Sequence, residues 1–349
     1  MDEKFLLIDG SSLIHRAFFA LPPLTNQKGV NTGAVYGLCN MLLKLLQEIQ
    51  PNYMLVAFDK SRKTFRTEKF SAYKGQRKAT PPELKEQFPL SMELLQAMGI
   101  PTLEVDNYEA DDIIGTLSSA APENVQVKIV TGDRDEFQLI KNNVQVLFTK
   151  KGISNIAVYD EKAFGEEYQG LEPRQIIDLK GLMGDTSDNI PGVPGVGPKT
   201  ALKLITQYRT VENVLDHAEE VKGKALQEKL RNNRDQALLS KELATICLEV
   251  LIDRDPAAYL LTGMTGECRK LMQELQFRNL WDRFVPVLGC AEGTDAGSSD
   301  DPLSLFGEPM ETQALETVEV TDPAQAEKLM EEIKTQGAQV ALAYETAGT

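Results

Sequence analysis

Nine carboxylates occupy places where side chains of this type can act together. Asp9 follows the apolar run Lys4–Ile8, Asp59 follows Tyr53–Phe58, and Asp133 and Asp135 follow Val125–Thr131. Glu109, Asp111 and Asp112 crowd into four positions at the start of a helical pattern, and Asp185 and Asp188 lie three apart in a Gly/Ser/Asn-rich segment. Sets made only of carboxylates select hard cations such as Mg²⁺ or Mn²⁺. With only His15 and His217 in the chain, a His-rich zinc or iron centre is implausible. Nine acids are too many for one ion. They suit two ions about 4 Å apart with waters and outer ligands, the arrangement that hydrolyses phosphodiesters. One ion would acidify a water; the other would stabilise a leaving 3′-oxygen. Each acid also has a plainer reading. Asp9 could cap the next helix, as Ser11 or Ser12 could. The triad at Glu109 suits a helix dipole, and Asp135 could cap residues 136–140.

A basic run comes directly after Asp59. Lys60, Arg62, Lys63, Arg66, Lys69, Lys74, Arg77 and Lys78 face Glu68 alone, with Phe65, Phe70 and Tyr73 interleaved. Cations with aromatics suit a single nucleic-acid strand, through phosphate neutralisation and base stacking; the plainer reading is a solvated loop. Lys74 and Arg77 are the candidates for offsetting charge on a phosphate in the transition state. A third signal follows Asp188. Pro191, Gly192, Pro194, Gly195, Gly197 and Pro198 lead into the helical start Lys199-Thr200-Ala201-Leu202-Lys203. Glycines ahead of a helix let backbone N–H groups approach an anion. The alternative is a Gly/Pro turn between two helices.

The elements that must position these groups read as follows. Strands are expected at 4–8, 53–58, 102–105, 125–131, 144–149 and 156–159. Helices are expected at 34–50, from Pro81/Pro82 through Met98, and at 161–168, 173–183, 211–217, 223–232, 234–244 and 269–284. A short extended piece is expected at 250–253. Acids just past strand ends fit open α/β sheets, whose sites gather at the carboxyl ends of strands. From residue 160 the pattern is helical.

Composition sets limits. The 349 residues suffice for about two domains. No run of 18 apolar residues occurs, and the acidic start MDEKFLLIDGSS lacks a signal-peptide core, so a cytoplasmic location is expected. Cys39, Cys247, Cys268 and Cys290 show no CxxC spacing and read as reduced thiols. The net charge of −15 argues weakly against nucleic acid, because residues 290–349 carry −11 of it and residues 1–289 only −4. Phosphate binding is local, within a Debye length of roughly 8–10 Å.

The segments IDGSSLIHRAFFAL, VAFDKSRKTFR, YKGQRKATP, YEADDIIG, TGDRDEFQLI and GLMGDTSDNIPGVPGVGPKTA resemble, in order and spacing, the bacterial 5′-nuclease (flap endonuclease) family. The form resembled is the one at the N-terminus of a larger bacterial DNA polymerase, and the resemblance covers about residues 3–288. It implies an α/β fold with a mostly parallel, PIN-like sheet, a helical arch at about 60–95 and a C-terminal helix-hairpin-helix subdomain. The divisions implied are 1–175, 176–289 and a linker at 290–312. The implied activity is metal-dependent hydrolysis at 5′ ends and flaps of duplex DNA, with RNA primers on DNA as further substrates, by a monomer.

By the same resemblance Asp9, Asp59, Glu109, Asp111, Asp112, Asp133, Asp135, Asp185 and Asp188 are metal-site acids, served by two Mg²⁺ ions or Mn²⁺. Lys74 and Arg77 fall on the arch, with Tyr73 a stacking residue there. Gly192, Gly195, Gly197, Lys199, Thr200 and Lys203 belong to a hairpin that grips duplex backbone and binds K⁺. Residues 313–349 resemble the start of a proofreading exonuclease domain, but Ala343 stands where that family places an Asp, so proofreading is not expected. Two other readings compete: a catalytically silent DNA-docking module, and a PIN-type RNase. The acids disfavour the first. The second would not need the helical C-terminal region.

Overall fold

β1 (Glu3–Asp9) is the middle of a sheet because its run FLLI is apolar on both faces, as a strand covered by helices on each side must be. The computed structural model describes residues 3–150, 155–277 and 279–291. β1 pairs in parallel with β2 (Tyr53–Ala57) on one side and β4 (Val125–Thr131) on the other. β3 (Thr102–Leu103) and β5 (Val144–Thr149) extend the parallel set, and β6 (Ile156–Tyr159) closes it antiparallel, giving the order β3-β2-β1-β4-β5-β6. The six strands lie where the apolar runs placed them. β3 is shorter than expected, two residues against four.

α1 (Gly10–Ala20), α2 (Gly33–Ile49), α3 (Phe65–Lys69), α4 (Pro82–Lys85), α5 (Gln87–Ala97), α6 (Ala110–Ala120) and α7 (Glu161–Glu167) accompany the sheet. The helix expected from Pro82 to Met98 is interrupted at Glu86. Pro89 has no N–H, and its ring opposes the carbonyl four residues back, at Lys85. A helical half follows: α8 (Ile176–Met183), α9 (Pro198–Tyr208), α10 (Val211–Asp216), α11 (Lys224–Asn232) and α12 (Arg234–Ala244). One apolar core runs without a break from Phe5, Val127 and Ile129 of the sheet to Val193, Ala201 and Leu230 of this half. No seam separates them at residues 175/176. A second core on the other sheet face joins Leu6 and Ile8 to α2, α5, α13 (Gly266–Glu274) and α14 (Leu280–Leu288).

Two expectations need correction. The last helix is two helices. Gln276 is left-handed (φ +64°), and the Phe277 N–H donates to the Met272 carbonyl at 2.8 Å while the Gln276 N–H donates to Gln273. This is a Schellman stop. The turn lets Met272, Leu275, Phe277, Leu280, Trp281 and Phe284 all reach one core, which a straight helix could not do. Residues 250–253 are bent rather than extended: the Ile252 N–H donates to the Val250 carbonyl at 3.0 Å. Val250 is buried with its N–H on Thr116 Oγ1, and Leu251 turns outward. The linker after Ala291 and the exonuclease-like segment 313–349, with Ala343, lie outside the described residues.

Candidate active site

Three parallel neighbours deliver the first acids. β2, β1 and β4 lie side by side, so their carboxyl ends line up about 5 Å apart. Asp9 is the last residue of β1; Asp59 and Asp133 come two residues past β2 and β4. Local bonds fix each. Asp9 Oδ1 accepts the Ser12 N–H at 2.9 Å, so Asp9 caps α1 from the end of β1. Its Oδ2 accepts from Thr131 Oγ1 at 3.3 Å. Asp59 donates its N–H to Ser11 Oγ and accepts the Ala110 N–H, each at 2.9 Å, tying β2 to α1 and to the start of α6. Asp133 Oδ1 accepts the Asp135 N–H at 3.0 Å. Burial, with the Asp59 charge adding, pushes the Asp9 carboxyl up to about 7.

α6 brings Glu109 and Asp112 as a capping box. The structure gives Asp112 a job different from that of a free ligand. It is fully buried, and its oxygens accept Arg66 Nη1 at 2.8 Å, Arg66 Nη2 at 2.7 Å, the Cys247 N–H at 2.8 Å and the Glu109 N–H at 3.0 Å. Those four bonds spend its acceptor capacity. Asp111 instead keeps Oδ1 buried and without a partner. Burial, with the Asp112 charge beside it, pushes the Asp111 carboxyl well above its usual range, against the pull of Arg66.

Asp185 and Asp188 arrive on a loop closed by reciprocal Asp185–Ile190 backbone bonds of 2.8 Å. Burial would raise Asp185, but the Lys180 ammonium outweighs it. With the Ser187 N–H and hydroxyl also on its oxygen, Asp185 falls to about 2.

The basic segment is neither a solvated loop nor a long helix. Only α3 is helical in it; residues 71–76 are turns. It folds down onto the acids. Tyr73 is 5% exposed and packs with Phe70, Ile190, Leu239, Leu243 and Ala244. Its hydroxyl lies 3.1 Å from Glu109 and 3.3 Å from Asp188, so it presents no free face for a base to stack on. The Lys74 ammonium is 2.8 Å from Glu109, and Arg77 pairs with Asp188. Burial disfavours both cations, but Glu109 and Asp188 for Lys74, and Asp188 for Arg77, outweigh it and hold them above their usual range.

Two cations escaped the sequence reading. Lys180 is buried between Asp135 and Asp185 and pairs with both. The available signal was a lone lysine inside the apolar run IIDLKGLM, five residues before Asp185. Arg66 is 1% exposed and also donates to the Leu243 and Thr245 carbonyls, at 3.0 and 2.9 Å. It was hidden among seven other cations. Among the described residues no three His, Cys, Asp or Glu side chains are arranged to hold an ion as they stand. Built-in cations bridge the acids instead.

The hairpin residues divide into two kinds. Gly192 is buried at φ +60°, its N–H donates to Ser240 Oγ at 3.0 Å, and a Cβ there would sit 2.2 Å from the Gly184 nitrogen. Its role is the turn. Gly195 and Gly197 are exposed above buried Val193 and Val196 and lead into α9, capped at Gly197 with Pro198 in its first turn. Lys199 and Lys203 are exposed and line an open groove with Gln169, Leu202, Thr206 and Gln207, while Thr200 is half-buried beside them.

Residues 4–169 match the model for the 5′-3′ exonuclease N-terminal resolvase-like domain, and residues 171–267 match that for the 5′-3′ exonuclease C-terminal SAM fold. The chain belongs to the 5′-3′ exonuclease family. DNA polymerase I of Bacillus caldotenax is 54% identical over 290 residues, 81% of this chain and 32% of that protein. DNA polymerase I of Bacillus subtilis (strain 168) is 48% identical over 305 residues, 87% of this chain and 34% of that protein. The chain thus spans about a third of the length of these relatives. A structure of T5 5′-exonuclease with divalent zinc ions bound covers 83% of this chain and 100% of its own, at TM-score 0.58 and 21% identity. The catalytic core of Rad2 in complex with a DNA substrate covers 82% of this chain and 93% of its own, at TM-score 0.54 and 19% identity. These two likenesses establish the fold of the 5′-3′ exonuclease chain: a mostly parallel sheet with a helical C-terminal half.

Proposed function

We propose that this chain is a divalent-metal-dependent, structure-specific 5′-3′ exonuclease and flap endonuclease that hydrolyses phosphodiesters at 5′ ends and flaps of duplex DNA. It would do so as the N-terminal part of a DNA polymerase I, in primer removal and repair. One observation carries the reading. Acids from three adjacent parallel strand ends, from α6 and from the 185–190 loop converge, and a cationic segment lies directly on them. The T5 and Rad2 likenesses, with metal ions and with DNA respectively, agree with it.

The donor set fits hard divalent cations: all oxygen, with Asp111 Oδ1 buried and unpartnered. Asp9, Asp59, Glu109, Asp111, Asp133, Asp135, Asp185 and Asp188 would hold two Mg²⁺ ions, with Mn²⁺ able to substitute, and Asp112 would anchor Arg66 beneath them. When bound, the ions supply a nucleophile from water and stabilise the leaving oxygen. The chain's own residues do the rest. Lys180, Lys74 and Arg77, which now pair with the acids, would leave them to a bound metal, and Lys74 and Arg77 would offset charge on the scissile phosphate. Gly195, Gly197, Lys199, Thr200 and Lys203 would hold duplex backbone at a fixed distance, with K⁺ at the hairpin, and RNA primers on DNA would be further substrates of the same site. The helical half from α8 to α12, which a PIN-type RNase would not need, favours a duplex-gripping enzyme. The intact acid set favours an active one over a silent docking module. A 5′-flap cleavage assay tests this: Mg²⁺ supports cutting near the flap junction and EDTA abolishes it. Flap binding without cleavage under any divalent ion would leave only the docking module.

A further inference from the structure

The turn after β4, TGDRDEFQLI, holds one acid that the reaction above does not use. Glu136 lies in the 3₁₀ turn Asp135–Leu139, between Asp135 of the acid set and core residue Phe137. It is 0% exposed, and both of its carboxylate oxygens are buried without a hydrogen-bond partner. Thr131 Oγ1 is close enough to act on it, but the hydrogen bond within bonding geometry is the one to Asp9 Oδ2, at 3.3 Å. The charges that act on Glu136 are Asp9, then Asp111 and Asp133, and every one of them is an acid. A buried carboxylate with neither partner nor counter-ion is costly. The built-in cations do not relieve it. Among the described residues, the ion pairs made by Arg66, Lys74, Arg77 and Lys180 go to Glu109, Asp112, Asp135, Asp185 and Asp188, and none goes to Asp9, Asp111 or Glu136. Two orphans remain: Glu136, with acids alone acting on it, and Asp111 Oδ1, which makes no ion pair although Arg66 and Lys74 act on its carboxylate from further off.

We propose that Glu136 is a further carboxylate ligand of a divalent ion held at Asp9 and Asp111. This rests on the metal-dependent reading above and deepens it. An added hard oxygen donor strengthens the hold on that ion. It also places a ligand on the turn that carries Asp135, so that occupancy of this corner is felt by the Lys180–Asp135 contact next to it.

Mn²⁺ binding to the full 349-residue chain tests the proposal, by calorimetry and by the paramagnetic signal of free Mn²⁺, with the unaltered chain, Glu136→Gln and Glu136→Leu. The expected result is about tenfold or more weaker binding of the tighter ion in both variants. Both should also lose most of the Mn²⁺-induced rise in thermal midpoint, while their metal-free midpoints stay the same or rise. Equal Mn²⁺ affinity with a raised metal-free midpoint would overturn the proposal and leave Glu136 a neutral buried acid. If Glu136→Leu does not fold, Glu136→Gln, which keeps the shape, decides alone. Absence of Mn²⁺ binding by the unaltered chain would overturn the metal-site reading itself, an outcome distinct from the failure of Glu136 alone.

Discussion

Arg66 shows what one side chain does inside this site. Its guanidinium is buried, and its donors go to Asp112, Glu109 and two carbonyls of the α12 exit. Removing one partner of a buried pair costs about 3–5 kcal/mol, because the other charge is left uncompensated. Arg66→Met is therefore expected to lower unfolding free energy by about that amount in a denaturant titration, and Asp112→Asn by a smaller but similar loss. Asp185→Asn should behave differently, since Lys180 keeps Asp135. It is expected to cut flap cleavage by orders of magnitude with flap binding retained. A variant Asp185→Asn with ordinary turnover would remove that residue from the metal set. Lys74→Ala and Arg77→Ala should slow single-turnover cleavage, and unchanged rates would take them off the catalytic roster. Of these residues, the acids were legible because they follow an apolar run, crowd a helix start or sit close together in a Gly-rich segment. The partners were not: no local pattern distinguishes Arg66 from the neighbouring cations or says which lysine enters the interior.

At the scale of elements, the hairpin between α8 and α9 is the place where similar residues have opposite jobs. Gly192 sits at φ +60° against the Met183–Gly184 backbone, whereas nothing lies within 4 Å of a Cβ at Gly197. A side chain at a strained, enclosed glycine destabilises beyond the roughly 1 kcal/mol typical of glycine substitutions. Gly192→Ala is expected to lose about 2 kcal/mol or more by thermal or chemical denaturation, and Gly197→Ala less than about 1 kcal/mol. Near-equal losses would show that the turn geometry is not what holds the loop. The sequence marked all the hairpin glycines alike, because a Gly/Pro run signals a turn without saying which glycine meets another backbone. The same limit appears at residues 275–279. Helical periodicity continued through them, yet six apolar side chains could share one core only if the helix stopped and restarted.

Across the whole molecule, the site joins parts that are far apart in the chain. Lys180 of α8 meets Asp135 after β4, Arg66 meets residues 243 and 245 at the C-terminal end of α12, and a single core underlies both halves. The cations make the metal-free protein tolerate its own acids. Lys180→Met should therefore lower the metal-free thermal midpoint, with a loss on the order of 3 kcal/mol. Mg²⁺ should restore much of it, because the ion supplies the charge the lysine gave. A variant as stable as the unaltered chain without metal would show that Asp135 and Asp185 need no counter-ion.

The chain's periodicity, by itself, determined six strands, the acids at their ends, the basic run and the hairpin, because strand runs, turn residues and charge blocks are local signals. The carboxylate set suggested metal-assisted phosphodiester hydrolysis, and family resemblance supplied 5′ ends and flaps of duplex DNA as the substrate. Only the tertiary structure decided which acids are free and which are spent, that Tyr73 is buried beneath the site, and that Lys180 and Arg66 stand among the carboxylates. It also left Glu136 facing acids alone. The reason is that the state of a buried charge depends on what surrounds it in space, and here some of those neighbours lie as far as 179 residues away along the chain.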